Sequence, residues 1–330
     1  MQDYKIMDQL FELKWSRIYS YVYELALDMD LFKFMEGGSG AKSIGEISAF
    51  LGMPLSSARI VVQYLCGLKL LRMSGGVFYN SEIYSGYLTD DKILSDLKGW
   101  KIETIAELEK KLKEPPRQSW YQIRNEGKAV SEAEGIYSGF YLDEVRHQWR
   151  ISQGEELAKW YEFGQHKKLL DIGGASGGWS IGIRRRNPHL HCTIFDLPEV
   201  CRLTEISLNT RDAAEKIDLV AGDIFSDQLA VQTDVVLLAN VLHDWTKQDG
   251  CRILKKVYEG LPDKGKVLIY EYYLDDHWEE PLSSMYHGIT VLGPDNESGW
   301  QPCFGEMEEM IQECGFSVDS RKNNLLVGVK

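Results

Sequence analysis

The stretch Leu169-Leu170-Asp171-Ile172-Gly173-Gly174-Ala175-Ser176-Gly177-Gly178 decides the fold. An apolar run runs into a glycine-rich turn, and the following WSIGIRRR (179–186) reads as a helix. Glycines at such a corner let the backbone approach a ligand closely, and the helix start offers free N–H groups, so a nucleotide-like ligand is implied. Taken alone, the turn is also what a tight corner would need. Four further apolar runs follow: HCTIFDL (191–197), IDLVAGD (217–223), DVVLLAN (234–240) and GKVLIYEYY (265–273), separated by helical stretches. Short apolar runs alternating with helices predict a parallel sheet with crossover helices, an α/β Rossmann-like core over 166–330.

Ligands of such sheets lie at the carboxyl ends of the strands, which makes the residue ending each run a candidate. Asp196 ends the second run, twenty-five residues beyond Asp171, where a carboxylate can accept from both hydroxyls of a ribose. The third run ends in Asp223 and Ile224, where a carboxylate can hold an adenine amino group or simply cap a helix. The fourth ends in Asn240, His243, Asp244 and Trp245, and the fifth in Glu271. A histidine at this edge is placed to take a proton, and a neighbouring carboxylate to orient it and stabilise its charged form.

Upstream, residues 8 to 35 carry apolar residues from Leu10 to Phe34 at mainly helical spacing and predict one long helix, closed by Gly37-Gly38-Ser39-Gly40. Ser43 and Glu46 have capping-box spacing, a second helix starts around Pro54-Leu55-Ser56, and LKLLRMSGGVFYNS (68–81) reads as strand, turn, strand. Helix, turn, helix and hairpin form a winged-helix pattern, which serves either DNA binding or dimerisation. The second helix offers only Arg59 as a cation, and the 330-residue chain has a net charge of -13, so phosphate contacts are poorly supplied. Residues 92–165 read as connecting helices with a break at Pro115-Pro116. The domain expectation is 1–98 for a helical winged-helix domain and 99–330 for the remainder, with 99–165 connecting.

Composition excludes more than it identifies. Hydrophobic residues make up 44% and charged ones 26%, the range of globular proteins. No apolar run approaches the roughly 20 residues that span a bilayer, the net charge of -13 disfavours nucleic-acid and anionic-membrane partners, and scattered cysteines suit reduced thiols, so a cytoplasmic chain is expected. The six cysteines, Cys66, Cys192, Cys201, Cys251, Cys303 and Cys314, form no C-x-x-C pair, so neither a metal cage nor a disulfide framework is expected.

Together these residues resemble the caffeate- and acetylserotonin-type O-methyltransferases. LLDIGGASGG is similar to that family's cofactor loop, IFDLPEV to its D-L-P strand, AGDIF to its G-D-x-F turn, and VLHDWTKQDGCRILKKV to its H-D-W helix start. GKVLIYEYYLDD and MIQECGF fit later blocks. The resemblance implies a class I methyltransferase domain using S-adenosylmethionine and releasing S-adenosylhomocysteine, with a small aromatic hydroxyl compound as acceptor. It implies homodimerisation through the N-terminal domain. Gly173 and Gly174 would cradle the methionine part, Asp196 and Leu197 the ribose side, and Asp223, Ile224, Asn240 and Trp245 the remaining nucleoside. His243 would be the general base and Glu271 its partner. Tyr141, Trp149, Tyr286 and His287 fall where the family lines its acceptor pocket. Two departures stand out: Ala175 replaces the loop's third glycine, and Gln301 replaces a second acid, leaving Glu271 alone on the base with Glu297 as a distant candidate. A family member with non-methylating chemistry and a DNA-binding regulator are the competing readings.

Overall fold

A computed structural model describes residues 2–38, 40–99, 144–210, 217–229, 232–278, 281, 284 and 301–330. The chain packs as two compact units, Met1–Glu103 and Thr104–Lys330.

The first unit holds α1 (Gln2–Asp28), α2 (Leu31–Glu36), α3 (Ile44–Leu51), α4 (Leu55–Gly67), β1 (Leu71–Ser74), β2 (Val77–Asn80), α5 (Ser85–Leu88) and α6 (Asp91–Gly99). The single long helix expected over 8–35 is two, because Asp30 takes a left-handed φ of 54° that no α-helix accommodates. The capping box is present: Glu46 N donates to Ser43 Oγ while Ser43 N donates to Glu46 Oε2. α3 and α4 are bent 105° from one another, as in a helix-turn-helix. Gly75 and Gly76 both have positive φ, 59° and 82°, which the two-residue turn between β1 and β2 requires. Leu27, Phe32, Met35, Ile47, Val62 and Leu65 close this unit's core.

The second unit contains α7 (Glu144–Trp160), β3 (Lys168–Ile172), α8 (Gly178–Arg186), β4 (His191–Asp196), α9 (Pro198–Thr210), β5 (Ile217–Ala221), β6 (Val235–Ala239), a 3₁₀ turn (Leu242–Asp244), α10 (Lys247–Gly260), β7 (Lys266–Tyr270), α11 (Phe304–Glu313), β8 (Ser317–Lys322) and β9 (Leu325–Val329). The sheet order is β5-β4-β3-β6-β7-β9-β8. β3 to β7 pair in parallel, and β9 and β8 complete the sheet antiparallel. The five expected strands are these parallel ones. Alternate residues feed opposite faces: Leu170, Val236 and Val267 pack with Leu254 and Ile311, while Leu169, Leu237 and Leu268 pack with Leu157, Trp179 and Ile183. Burial on both faces is why these strands read as unbroken apolar runs.

The chain leaves β3 towards β4 on one side and returns through β6 on the other. The strand order therefore reverses between β3 and β6, and their carboxyl ends flank the crevice where a ligand of such a sheet sits. Behind it α7 and α8 pack backbone to backbone. A Cβ on Gly182 would stand 2.1 Å from Ile151 O and 2.8 Å from Glu155 N, and one on Gly154 would stand 2.4 Å from Trp179 O. Backbone atoms cannot yield as a flexible side chain can, so Gly182→Ala is expected to cost about 1–3 kcal/mol. The check is thermal unfolding; a melting temperature equal to that of the unaltered protein would refute the close contact.

Candidate active site

The turn after β3 is fastened from three directions. Gly173 N donates to Phe195 O at 2.9 Å, and Gly173 has a φ of 71°. A Cβ on Gly174 would lie 2.8 Å from Asp171 Oδ2, so only glycine lets the turn close over the buried carboxyl. Ala175 has a φ of 49°, at the edge of the small left-handed region open to residues with a Cβ. It is held there from both ends. Its N–H donates to Asp196 Oδ2 at 3.0 Å, and its carbonyl accepts from Thr204 Oγ1 of α9 at 2.5 Å. Ala175 thus keeps a left-handed backbone with both its N–H and its carbonyl engaged.

Asp171 itself is 1% exposed. Burial pushes its carboxyl up to about 7; the Ser180 hydroxyl, donating at 2.7 Å, works against the rise and the charge of Asp196 adds to it. The folded chain therefore binds more protons here than the unfolded one. Stability from this group is full below the unfolded carboxylate value of ~3.9 and is lost as pH climbs through about 7. Asp171→Asn should flatten that decline, by roughly 1.4 kcal/mol per tenfold change in proton affinity. Denaturant titrations of both proteins from pH 5 to 8 are the measurement, and parallel curves would disprove the assignment.

Asp196 also accepts from Leu197 N at 2.8 Å, so it ties the end of β4 to the glycine turn. Asp223 Oδ1 accepts from Phe225 N at 2.9 Å, closing the turn after β5, and Ile224 packs against the core. Trp245 meets the Phe225 ring edge-on at 4.7 Å, with the Arg252 guanidinium 5.0 Å from that ring's centre. Asn240, at a φ of 55°, donates its N–H to Tyr270 O, and its side-chain Oδ1 is buried with no hydrogen-bond partner among the described residues. A buried acceptor left open beside a glycine cradle is suited to a ligand that brings N–H or O–H donors.

His243 and Glu271 are brought together as expected of them. The imidazole is 5% exposed and the carboxylate 0%. Nδ1 lies 2.5 Å from Glu271 Oε2, while Glu271 Oε1 accepts from the N–H groups of Val241 at 3.1 Å and Leu242 at 3.0 Å. The second carboxylate on the imidazole is Asp244, whose Oδ1 lies 3.3 Å from Nε2. Among the described residues, the acids beside the imidazole are thus Glu271 and Asp244, the latter the residue next in sequence. Gln301 has its Nε2 donating to Tyr272 O, one residue beyond Glu271. Glu297, Tyr141, Tyr286 and His287 lie outside the described residues, and Trp149 is 44% exposed on α7.

Sequence reasoning missed the contribution of α7. Its His147, 1% exposed, places Nδ1 3.0 Å from Ser176 Oγ in the glycine turn, and Arg150 lies against Gly178 and within electrostatic reach of Tyr272. A helix pressed this closely on the turn was signalled by the paired glycines 154, 178 and 182, whose partner helix could not be named from spacing.

A mostly parallel seven-stranded sheet, with a glycine turn after β3, an acid ending β4 and a histidine–carboxylate pair beyond β6 and β7, is the Rossmann-like fold of class I methyltransferases. The O-methyltransferase domain family model matches residues 129–317, more than half of the chain. The chain belongs to that family, and as a member it is an S-adenosylmethionine-dependent O-methyltransferase. It is similar to the 3-hydroxy-5-methyl-1-naphthoate 3-O-methyltransferase of Streptomyces sahachiroi, 26% identical over 81% of this chain and 77% of that one. It is also similar to the L-tyrosine C(3)-methyltransferase of Streptomyces lavendulae, 23% identical over 89% and 82%. Human N-acetylserotonin methyltransferase, solved in complex with S-adenosylmethionine, superposes with a TM-score of 0.74, covering 100% of this chain and 98% of that one at 20% identity.

Proposed function

We propose that the protein methylates a hydroxyl of a small aromatic molecule, with His243 as the general base. The observation that carries this reading is the buried His243–Glu271 pair, at the same rim of the sheet as the glycine turn. The aromatic acceptor is supported by relatives whose names specify a naphthoate or tyrosine acceptor.

S-adenosylmethionine, when bound, supplies an electrophilic methyl group on a sulfonium. The tight backbone turn at Gly173 and Gly174 would lie beside its amino-acid end, and the Asn240 side-chain oxygen would accept from a donor on it. Asp196, with Leu197 beside it, would accept from the sugar hydroxyls, and Asp223, Ile224 and Trp245 would bound the base. A phenolic hydroxyl has a pKa of ~10 and is mostly protonated at neutral pH. His243 Nε2 takes that proton as the oxygen attacks, and Glu271 stabilises the imidazolium that results. Base assistance of this kind is worth about 10²–10⁴-fold, and fixed alignment in a site screened from water contributes much of the remainder. The first unit, with exposed Ile60, Met73, Ile83 and Tyr87 and one cation on α4, is read as a module for pairing two chains rather than for DNA.

Replacing His243 by Ala should leave the affinity for S-adenosylhomocysteine nearly intact and cut turnover by about two to four powers of ten, whereas Asp196→Ala should weaken cofactor binding first. Calorimetry and a methyl-transfer assay with a panel of phenols separate the two, and undiminished turnover in the His243 variant would place the base elsewhere. A second expectation concerns pH. Burial disfavours charge on His243, but the carboxylates of Glu271 and Asp244 outweigh it and hold the imidazole protonated well above its ordinary range. A base works only once deprotonated, so kcat/KM should still be rising with pH beyond the ordinary histidine value of ~6.5. A profile already flat at pH 6 would contradict this.

A further inference from the structure

The imidazole of His243 has a carboxylate at each nitrogen, and the two contacts differ in kind. Nδ1 to Glu271 Oε2 is 2.5 Å, with the carboxylate fully buried and its other oxygen held by two backbone N–H groups. Nε2 to Asp244 Oδ1 is 3.3 Å, longer than a charge-assisted hydrogen bond at its optimum, and the Asp244 side chain is 46% exposed. The Glu271 contact is shut away from water, whereas the Asp244 carboxylate is within reach of it. Yet Nε2 is the nitrogen left over for the acceptor once Glu271 has taken Nδ1. A carboxylate beside it is favourable only while Nε2 carries a proton, since two sets of lone pairs would otherwise face one another.

We propose that Asp244 is a positioning residue that latches the base: its carboxylate holds the Nε2 proton of His243 and is displaced into solvent when the acceptor hydroxyl takes its place. This rests on the reading of His243 as the base. The proton bookkeeping is simple. The Nε2 proton leaves through the half-exposed Asp244 carboxylate to water, which frees the Nε2 lone pair. The acceptor's O–H proton then moves to that lone pair as its oxygen is methylated, and the same exit resets the site after product leaves.

Among the described residues, the charged groups facing the imidazole are Glu271 beyond β7 and Asp244 on its own turn. The phenols of Tyr270, Tyr272 and Tyr273 lie around Glu271 and are held protonated, chiefly by burial. The charges of α10 and α11 nearest the turn are paired elsewhere, Lys247 with Glu306 at 3.2 Å and Arg252 with Asp249 at 2.8 Å. Gln301, which stands where a second acid is expected, is neutral and turned to the Tyr272 carbonyl. Among the described residues, Asp244 is thus the solvent-reachable one of the two carboxylates beside the imidazole.

The test compares Asp244→Asn and Asp244→Glu with the unaltered protein, each first shown by calorimetry to bind S-adenosylhomocysteine. The kcat/KM profile of Asp244→Asn should have its acid limb at least one pH unit lower, about a tenfold gain relative to its own plateau at a pH on the original limb. Asp244→Glu should restore the limb. Nitrogen-15 NMR of the histidine rings in S-adenosylhomocysteine-saturated protein, assigned with His243→Ala, should show the same downward movement of the His243 titration and needs no acceptor. Superimposable limbs and titrations overturn the latch. If no hydroxyl compound is methylated, the proposed reaction fails, and the NMR titration still decides for or against Asp244.

Discussion

A carboxylate with no access to water must be satisfied by its surroundings, and Glu271 is that group. Its two oxygens take up the amides of Val241 and Leu242 and the Nδ1 of His243. The chain beyond β6 therefore cannot wander: the strand ends, Asn240 turns left-handed, and a single 3₁₀ turn carries the histidine back over the end of β7. The same charge that fixes the loop fixes the imidazole's orientation. Removing it would leave the loop amides unpaired along with the ring, so architecture and chemistry are coupled through one side chain.

The other half of the crevice is held by packing and small residues. α7 and α8 touch through backbone because glycines line the contact, and this brings His147 against Ser176. From the opposite side Thr204 and Asp196 hold Ala175. The turn is thus gripped by two helices and a strand end, and a left-handed alanine survives in it because its N–H and carbonyl are both engaged. The rigidity is useful, since a loop meant to approach a nucleoside closely gains affinity when little ordering remains to be done on binding.

Much of this was legible from residue order, for identifiable reasons. β3 to β7 are buried on both faces, so each shows as an apolar run, and the acids and the histidine fall at run ends where the eye is drawn. β8 was not legible: its residues, Ser317 to Lys322, are mostly exposed at the sheet's edge and carry no apolar signature. The break at Asp30 was hidden because the apolar spacing continues past it. Within the site, His243 and Glu271 could be paired from strand adjacency, but the engagement of Nε2 by Asp244 depends on the tightness of one turn. The contacts from α7 depend on which helices touch, and apolar periodicity does not contain that information.

The sheet also separates two kinds of residue by position. The central strands are mostly apolar and anchor the core, whereas the polar groups of the crevice gather at strand ends, as Asp171 and Asp196 do on β3 and β4, and on the connections at one rim. Substitutions in those connections leave the load on the strands untouched. The rim of such a scaffold can therefore be rebuilt over evolutionary time without any change to the sheet beneath it.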